Sequence, residues 1–330
     1  MNMEMNVKKL TLAMVVGMLI PIAGVLAEQP LAAKALFEKM MMASKALNYE
    51  GIFVYNRNGR MDTLKIVHLN DQEGEHEELT ALNGVNWRVI RKNDQVFCVF
   101  PGNNAGVLQH HKIRNLLGLN PAVTLSLLEG HYLFAMEQVE RIAGKISQAI
   151  FVKPKDQFRY GYRFWVDREN SLLLRTDVVG EGNKAVEQMM FTMVKVYQEV
   201  LPTLEKATSY LRETNQPPVQ ARSSMMGPER IKWRVQLPPG FFLAEQGIVG
   251  HRADKKTFEH IVYTDGLASI SVFIEKYPHA KPLQNRQAIQ QGAINALALM
   301  DKNNQHRITV VGEVPTATVQ KIADSLNSDF

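Results

Sequence analysis

Strict alternation of apolar and polar residues along positions 158–166 constrains the fold of this chain more than any other sequence feature. The apolar positions of this stretch are Phe158, Tyr160, Tyr162, Phe164 and Val166. The other face carries Arg159, Gly161, Arg163, Trp165 and Asp167. After a short polar segment the alternation resumes at Leu172, Leu174 and Val178. Because successive side chains of a strand point to opposite faces, this pattern predicts a β-hairpin with one strongly apolar face.

The same period of two recurs through the first two thirds of the chain. Residues 49–68 and 86–100 each predict a hairpin, with turns at 56–59 and 93–94. Further strands are predicted in "YLFAMEQVERIAG", "QAIFVKP" and "EQMMFTMVKVYQEV". One amphipathic helix precedes them, with apolar residues at helical spacing, namely Leu36, Met40, Ala43 and Leu47. Successive strands with few helices between them predict one large curved antiparallel sheet, or a half-open barrel.

A polar stretch at 206–230, rich in proline and glycine, separates this region from a second one. We expect a β domain at 28–205, a linker at 206–230 and a smaller α+β domain at 231–330. The smaller domain is predicted to hold strands at 231–236, 257–264 and 268–276, with a turn at Asp265–Gly266. A helix at 283–301, a strand in "HRITVVGEV" and a last helix with Thr316 as its N-cap complete the prediction.

The first 27 residues are typical of a signal peptide. Lys8 and Lys9 precede an apolar run that ends in small residues, Val25 and Ala27 among them. An uncleaved membrane anchor is the alternative, and the shortness of the apolar run favours cleavage. We therefore expect a periplasmic protein exported by a cleavable signal peptide. Its single cysteine, Cys98, lies in an apolar run and is interpreted as a buried small hydrophobe, since it has no partner for an intrachain disulfide.

No familiar catalytic or metal-binding pattern occurs in the sequence, which favours a binding protein over an enzyme and indicates no cofactor. His110 and His111 are adjacent and do not share a helical face, so a solvated loop is favoured over a metal site. The acidic run at 71–79 is likewise expected to be a solvated loop between strands. The formal net charge of +5 is too small and too dispersed to indicate nucleic acid as a partner. The oligomeric state stays open, a homo-oligomer included.

The apolar strand faces are the main functional signal. If the sheet curls, these faces meet in one concavity that could hold an acyl chain. The candidate lipid-cavity residues are Phe53, Tyr55, Trp87, Phe97, Phe158, Tyr160, Tyr162 and Phe164. The alternative is that these side chains pack against the N-terminal helix and one another. The methionines at 40–42 would suit a deformable lid, although they would also suit an ordinary core.

Five stretches together resemble the MucB/RseB family of periplasmic σE regulators. They are "ALNYEGIFVYNRNGRMDTLKIVH", "YRFWVDRENSLLLRTDVVGEGNKAVEQMMFTMV", "WRVQLPPGFF", "YTDGLASISVFIE" and "ITVVGEVPTATVQKIADSL". Their order and spacing carry the resemblance, because each motif alone is common. The stretch at 102–130 is the least similar to the family pattern, so nothing is carried over to it.

The resemblance implies an N-terminal domain similar to the lipoprotein carriers LolA and LolB, an unclosed barrel whose mouth is plugged by helices. It implies a non-enzymatic protein that binds the periplasmic region of an anti-sigma factor of the RseA or MucA type. This binding would shield the anti-sigma factor from the site-one protease DegS and keep σE inactive, until lipid or lipopolysaccharide fragments release it. Candidate partner-binding residues are Trp233, Phe241, Phe242 and Tyr263, which could equally form the core of the small domain. A LolA-type lipid carrier and an exported hydrolase are the rival hypotheses.

Overall fold

The structure is a computed structural model that describes residues 23–93, 95–99, 106–108, 125–199, 219–220, 233–250, 257–276, 286–301, 303 and 305–328. The predicted signal peptide, the predicted linker, and His110 with His111 lie wholly or mostly outside these residues. Among the described residues, no helix combines the length and apolar character that crossing a bilayer requires.

The described residues of the N-terminal region form a single large sheet and two helices. The helices are α1 (Ala23–Ala46) and α2 (Leu125–Glu129). The strands are β1 (Asn48–Arg57), β2 (Arg60–Asp71), β3 (Gly74–Ala81), β4 (Arg88–Lys92), β5 (Gln95–Val99), β6 (Gly106–Leu108), β7 (Tyr132–Ile142), β8 (Lys145–Pro154), β9 (Gly161–Asp167), β10 (Leu173–Val179), β11 (Ala185–Tyr197) and β12 (Val219–Gln220). A 3-10 turn, Glu181–Asn183, joins β10 to β11.

This sheet stays open. Its strand order is β12-β6-β5-β4-β3-β2-β1-β11-β10-β9-β8-β7, so β7 and β12 form its two edges. Every neighbouring pair is antiparallel except β12 with β6. Helix α1 lies across the sheet and buries Ala33, Phe37 and Met40 against it. The predicted half-open antiparallel sheet with a helix in its mouth is therefore confirmed.

The C-terminal region is a six-stranded sheet with one helix. Its elements are β13 (Trp233–Arg234), β14 (Phe242–Gly250), β15 (Thr257–Thr264), β16 (Ser269–Lys276), β17 (Gln287–Gln291), β18 (Ile294–Met300), β19 (His306–Gly312), α3 (Thr316–Ser325) and β20 (Asn327–Ser328). The order β14-β15-β16-β19-β18-β17 forms the main sheet, and β13 pairs with β20 separately. The predicted turn at Asp265–Gly266 is present, whereas β14 was not predicted.

The predicted helix at 283–301 is wrong. Its described part, from residue 286, forms the β17–β18 hairpin, which pairs along β19. The apolar residues of this stretch fit a helical face, but Gly292 adopts a left-handed conformation with φ +61° and turns the chain. Pairing with β19 supplies hydrogen bonds and burial that outweigh local helix propensity.

Two local predictions are also wrong. Most of the acidic run at 71–79 belongs to β2 and β3, and Glu77 is buried there because Arg91 donates a hydrogen bond to its carboxylate at 3.1 Å. Thr316 is the first residue of α3, and Pro315 occupies the N-cap position. The Thr316 hydroxyl instead donates to the Asn295 side chain at 3.0 Å.

Candidate functional site

The concave face of the large sheet is filled by aromatic rings and by α1. The Phe37 ring of α1 lies 5.5 Å from the Phe134 ring and 5.8 Å from the Phe164 ring. Phe53 and Phe191, on β1 and β11, meet edge to face at 5.7 Å. These contacts are apolar and lack directional hydrogen bonds, so side chains of similar volume can replace one another there at modest cost.

The structure brings together some of the eight predicted lipid-cavity residues and separates others. Phe53, Tyr162 and Phe164 are buried in the core beneath α1. Tyr55 and Trp87 are half-buried and pack against the same core. Phe97 lies on β5, and its side chain falls outside the described part of the structure.

Phe158 and Tyr160 precede β9 and contact the C-terminal domain. The Phe158 carbonyl accepts a hydrogen bond from the Thr318 hydroxyl at 2.6 Å. The Tyr160 hydroxyl accepts one from the Asn295 side chain at 3.0 Å. The alternation that begins at 158 therefore serves two surfaces, the domain contact first and the concave face from residue 162 onward.

The three methionines of α1 differ in exposure. Met40 is fully buried in the core and Met41 is half-buried, whereas Met42 is 62% exposed. The helix therefore offers one methionine to the concave face and another to solvent.

A buried charged cluster closes the concave face near the end of α1. The His68 ring places Nδ1 2.8 Å from the Leu47 carbonyl and Nε2 3.0 Å from Glu75 Oε1. Burial opposes ionisation of Glu75, but hydrogen bonds from His68 and Arg91 outweigh it and lower the pKa of Glu75 to about 2.

His68, Glu75 and Glu77 place ligand-type atoms within 4.8 Å of one another. Arg91, however, donates to Glu75 at 2.5 Å and to Glu77 at 3.1 Å. The guanidinium supplies the positive charge that a metal ion would otherwise provide, so the group is a salt-bridge network rather than a metal site.

The contact between the domains combines the apolar side chain of Leu267, which is buried in the core of the large sheet, with a polar cluster centred on Arg159. Its guanidinium donates to the Pro239 carbonyl at 2.5 Å and lies 3.6 Å from Asp265, with both side chains fully buried. The Tyr132 hydroxyl donates to Asp265 at 2.8 Å, and the Phe241 ring lies 5.0 Å from the guanidinium. Arginine suits this position because its planar cation lies near the Phe241 and Tyr132 rings while it donates to a carbonyl oxygen and pairs with a carboxylate.

A second polar contact is built on Glu187 of β11. One carboxylate oxygen accepts a hydrogen bond from the Ala293 amide at 2.9 Å, and the other accepts one from the Tyr55 hydroxyl. The Gly292 turn lies directly against Glu187 and Arg57, leaving no room for a Cβ. Burial raises the pKa of Glu187 and Glu313 adds to the increase, against the effect of both hydrogen bonds.

The four predicted partner-binding residues divide into a core set and one surface residue. Trp233, Phe241 and Tyr263 are buried in the C-terminal core. Phe242 is 42% exposed at the start of the edge strand β14, beside Leu243. Of the four, only Phe242 is available to a partner without rearrangement.

Sequence reasoning missed the residues that join the two domains. Arg159 and Glu187 lie in strand-like stretches where polar residues are ordinary, and Asn295 was placed in a helix. Asp265 was noticed only as a turn residue. Their pairing joins positions more than 100 residues apart, and neither spacing nor composition of one sequence indicates it.

Comparison with known proteins gives consistent matches over nearly the whole chain. The MucB/RseB N-terminal domain family matches residues 32–215, and the MucB/RseB C-terminal domain family matches residues 228–327. Sigma-E factor regulatory protein RseB of Haemophilus influenzae is 26% identical over 308 residues, which cover 92% of this chain and 94% of that protein. Sigma factor AlgU regulatory protein MucB of Pseudomonas aeruginosa is 27% identical, with coverages of 92% and 93%. The solved MucA/MucB complex of Pseudomonas aeruginosa has a TM-score of 0.70 at 25% identity, covering 91% of this chain and 99% of that chain.

Proposed function

The chain belongs to the MucB/RseB family, and on that premise we propose that it is a periplasmic, non-enzymatic regulator of the envelope stress response. It binds the periplasmic region of an anti-sigma factor of the RseA or MucA type. While bound, it denies the site-one protease access to the anti-sigma factor and so keeps σE inactive. A lipid or lipopolysaccharide fragment releases it.

One observation carries this proposal: the likeness to a MucB structure solved with MucA extends through both domains of this chain. A lipid carrier would need only the open sheet, whereas here a second domain packs on that sheet through buried polar contacts. This arrangement favours a regulator over the rival LolA-type carrier.

The lipid site in this proposal is the concave face. Its wall comprises Phe53, Tyr55, Trp87, Tyr162 and Phe164. Since the Phe37 ring of α1 now packs on this wall, an acyl chain would enter by replacing side chains of α1. The exchange substitutes one apolar surface for another, so it costs little in hydration free energy.

Release then follows from linkage between two binding events. If the lipid favours one arrangement of the domains and the anti-sigma factor favours another, each must weaken the binding of the other by the same factor. A coupling of about 1–3 kcal/mol, typical of allosteric proteins, changes the affinity about 5- to 150-fold.

The test is a cleavage assay with purified protein, the periplasmic region of the anti-sigma factor encoded near its gene, and the site-one protease. We expect the protein to slow cleavage and a fluorescent fatty acid, cis-parinaric acid, to restore it. Failure of the protein to bind the anti-sigma factor would contradict the proposal. Binding of the fatty acid without any anti-sigma binding would favour the carrier instead.

Substitution of Phe242 locates the partner surface in the same assay. We expect Phe242→Ala to weaken anti-sigma binding about tenfold, as truncation of an exposed aromatic anchor does. Ile289→Ala is the control, because Ile289 is also apolar and is more exposed, at 68%, but lies on β17, the opposite edge of the six-stranded sheet. Equal effects of the two substitutions would exclude β14 as the specific contact.

A further inference from the structure

Tyr55 belongs to both the concave face and the domain contact. Its half-buried ring packs against the core of the large sheet and lies opposite Met189 in the β1–β11 pairing. Its hydroxyl reaches past this core and donates a hydrogen bond to Glu187. Tyr55 thus belongs to the proposed lipid wall and also donates a hydrogen bond to Glu187, the residue that contacts the second domain.

Glu187 holds the β17–β18 turn directly. Its carboxylate, on a side chain only 4% exposed overall, accepts the Ala293 amide hydrogen at 2.9 Å. The Gly292 backbone lies against the same carboxylate so closely that no side chain fits. The turn is therefore seated on Glu187 by one hydrogen bond and by close packing.

The two donors of Glu187 come from different domains. Tyr55 approaches from the large sheet and Ala293 from the C-terminal sheet. A buried carboxylate with two donors is far better satisfied than one with a single donor, since each lost partner leaves a desolvated oxygen. The negative charge of Glu313 adds to the cost when a donor is lost.

We infer that Tyr55 and Glu187 form a relay through which occupancy of the concave face loosens the β17–β18 turn and with it the C-terminal domain. An acyl chain that displaces the Tyr55 ring removes the hydroxyl from Glu187. The carboxylate then regains water most readily if the turn moves away. This inference rests on the proposed lipid response, because it names the route by which that response reaches the second domain.

Hydrogen exchange at the Ala293 amide, followed by mass spectrometry on the full chain, tests the relay. The variants are Tyr55→Phe, which removes only the hydroxyl, and Glu187→Ala, which removes the acceptor of both hydrogen bonds. Tyr197→Phe is the matched control, because the Tyr197 hydroxyl donates to Glu50 at 2.5 Å, away from the Gly292 turn. Without ligand, we expect exchange in the 291–295 segment to rise about tenfold in Tyr55→Phe and in Glu187→Ala and to stay unchanged in the control.

The second arm adds cis-parinaric acid, whose fluorescence reports its own binding. In the wild type, we expect saturation to raise exchange in the 291–295 segment to a similar extent. In Tyr55→Phe, we expect the probe to bind and to change exchange there by less than about twofold, because the hydroxyl it would displace is already absent.

The outcomes separate the relay from the function on which it rests. If the wild type binds the probe and exchange at 291–295 does not change, the relay is overturned while lipid binding stands. If Tyr55→Phe responds to the probe as strongly as the wild type, Tyr55 is not the link and the relay is again overturned. If the wild type does not bind the probe at all, the proposed lipid response fails and the relay falls with it. Unchanged exchange in both ligand-free variants would overturn the seating of the turn itself.

Discussion

The concave face and the domain contact are both buried, yet they are held together by opposite kinds of interaction. Under α1, rings such as Phe37 and Phe164 meet through dispersion and loss of hydration. Between the domains, Arg159 forms an ion pair with Asp265, and Glu187 accepts a hydrogen bond from the Ala293 amide. In the proposed lipid site, the first surface accepts an apolar occupant of suitable shape, whereas the polar groups of the second are satisfied by one arrangement.

The difference indicates how one molecule can combine a permissive ligand site with a defined signal. Apolar packing is non-directional, so an acyl chain can exchange with α1 without leaving polar groups unsatisfied. A buried ion pair is directional, and removal of either partner leaves the other buried without a counter-charge. We therefore expect the concave face to tolerate apolar ligands of different shape. We expect the change between two states to occur at the domain contact.

The largest expected effect comes from removing the central cation of the contact. Arg159→Leu leaves Asp265 buried without its counter-charge, which should cost about 3–5 kcal/mol in the free energy of unfolding. Chemical denaturation measures this loss. The control is Arg286→Leu, since Arg286 also pairs with an aspartate, Asp324, but both are about half exposed, and its loss should cost below about 1 kcal/mol. Similar losses in the two variants would mean that the contact does not depend on a buried charge pair.

Truncation of the helix plug should separate stability from ligand affinity. Phe37→Ala removes a ring that is buried against Phe134 and Phe164 and should cost about 3 kcal/mol of stability. The same change leaves apolar space on the concave face, so we expect cis-parinaric acid to bind more tightly. Denaturation and fluorescence titration measure the two effects. Met42→Ala, on the exposed side of the same helix, should change stability by less than about 0.5 kcal/mol. Weaker binding to Phe37→Ala would contradict a lipid site beneath α1.

The contrast between apolar packing within the sheet and polar contacts between the domains also explains what the sequence could predict. Period-two alternation records which side chains are apolar and buried, and it located most strands of the large sheet and the wall residues Phe53 and Phe164. The helix predicted at 283–301 failed because Ile289 and Leu297 fit a helical face as well as a hairpin, and only pairing with β19 decides between them. Here the local pattern was ambiguous and the tertiary partner was decisive.

The domain contact could not be read from the sequence for a different reason. Arg159 and Glu187 occupy positions where a strand is expected to show solvent-facing polar residues. The second domain covers them in the structure, through residues near 240, 265 and 293. Alternation reports the faces of one sheet and carries no information about a surface supplied by another.

A smaller effect is expected where the turn meets Glu187. Gly292→Ala places a methyl group in a left-handed position that also lacks space, and should cost about 2 kcal/mol. Gly59→Ala is the matched control, since Gly59 has φ +76° with open space around it and should cost only the backbone penalty of about 1 kcal/mol. Denaturation of both variants isolates the cost of the close approach. Equal losses would show that the turn is not tightly seated.

The last comparison concerns pH, because the two regions should respond to it with opposite sign. Glu187 has a pKa raised above the usual 4.5, so its protonation stabilises the fold fully below about pH 4.5. That stabilisation is lost as pH rises through the raised value. Glu75 has a pKa lowered to about 2, so its ionised form stabilises the fold fully above about pH 4.5. That contribution is lost as pH falls toward 2.

The free energy of unfolding, measured against pH for the wild type and two variants, distinguishes these contributions. Glu187→Gln should reduce the loss of stability as pH rises above 4.5, and Glu75→Gln should reduce the loss as pH falls below it. Hydrogen exchange should assign the first change to the 291–295 segment at the domain contact. It should assign the second to the end of α1, where His68 links Glu75 to the Leu47 carbonyl. If both variants altered the same limb of the pH curve, the two carboxyls would not be in opposite environments, and the contrast between the two regions would not extend to their charges.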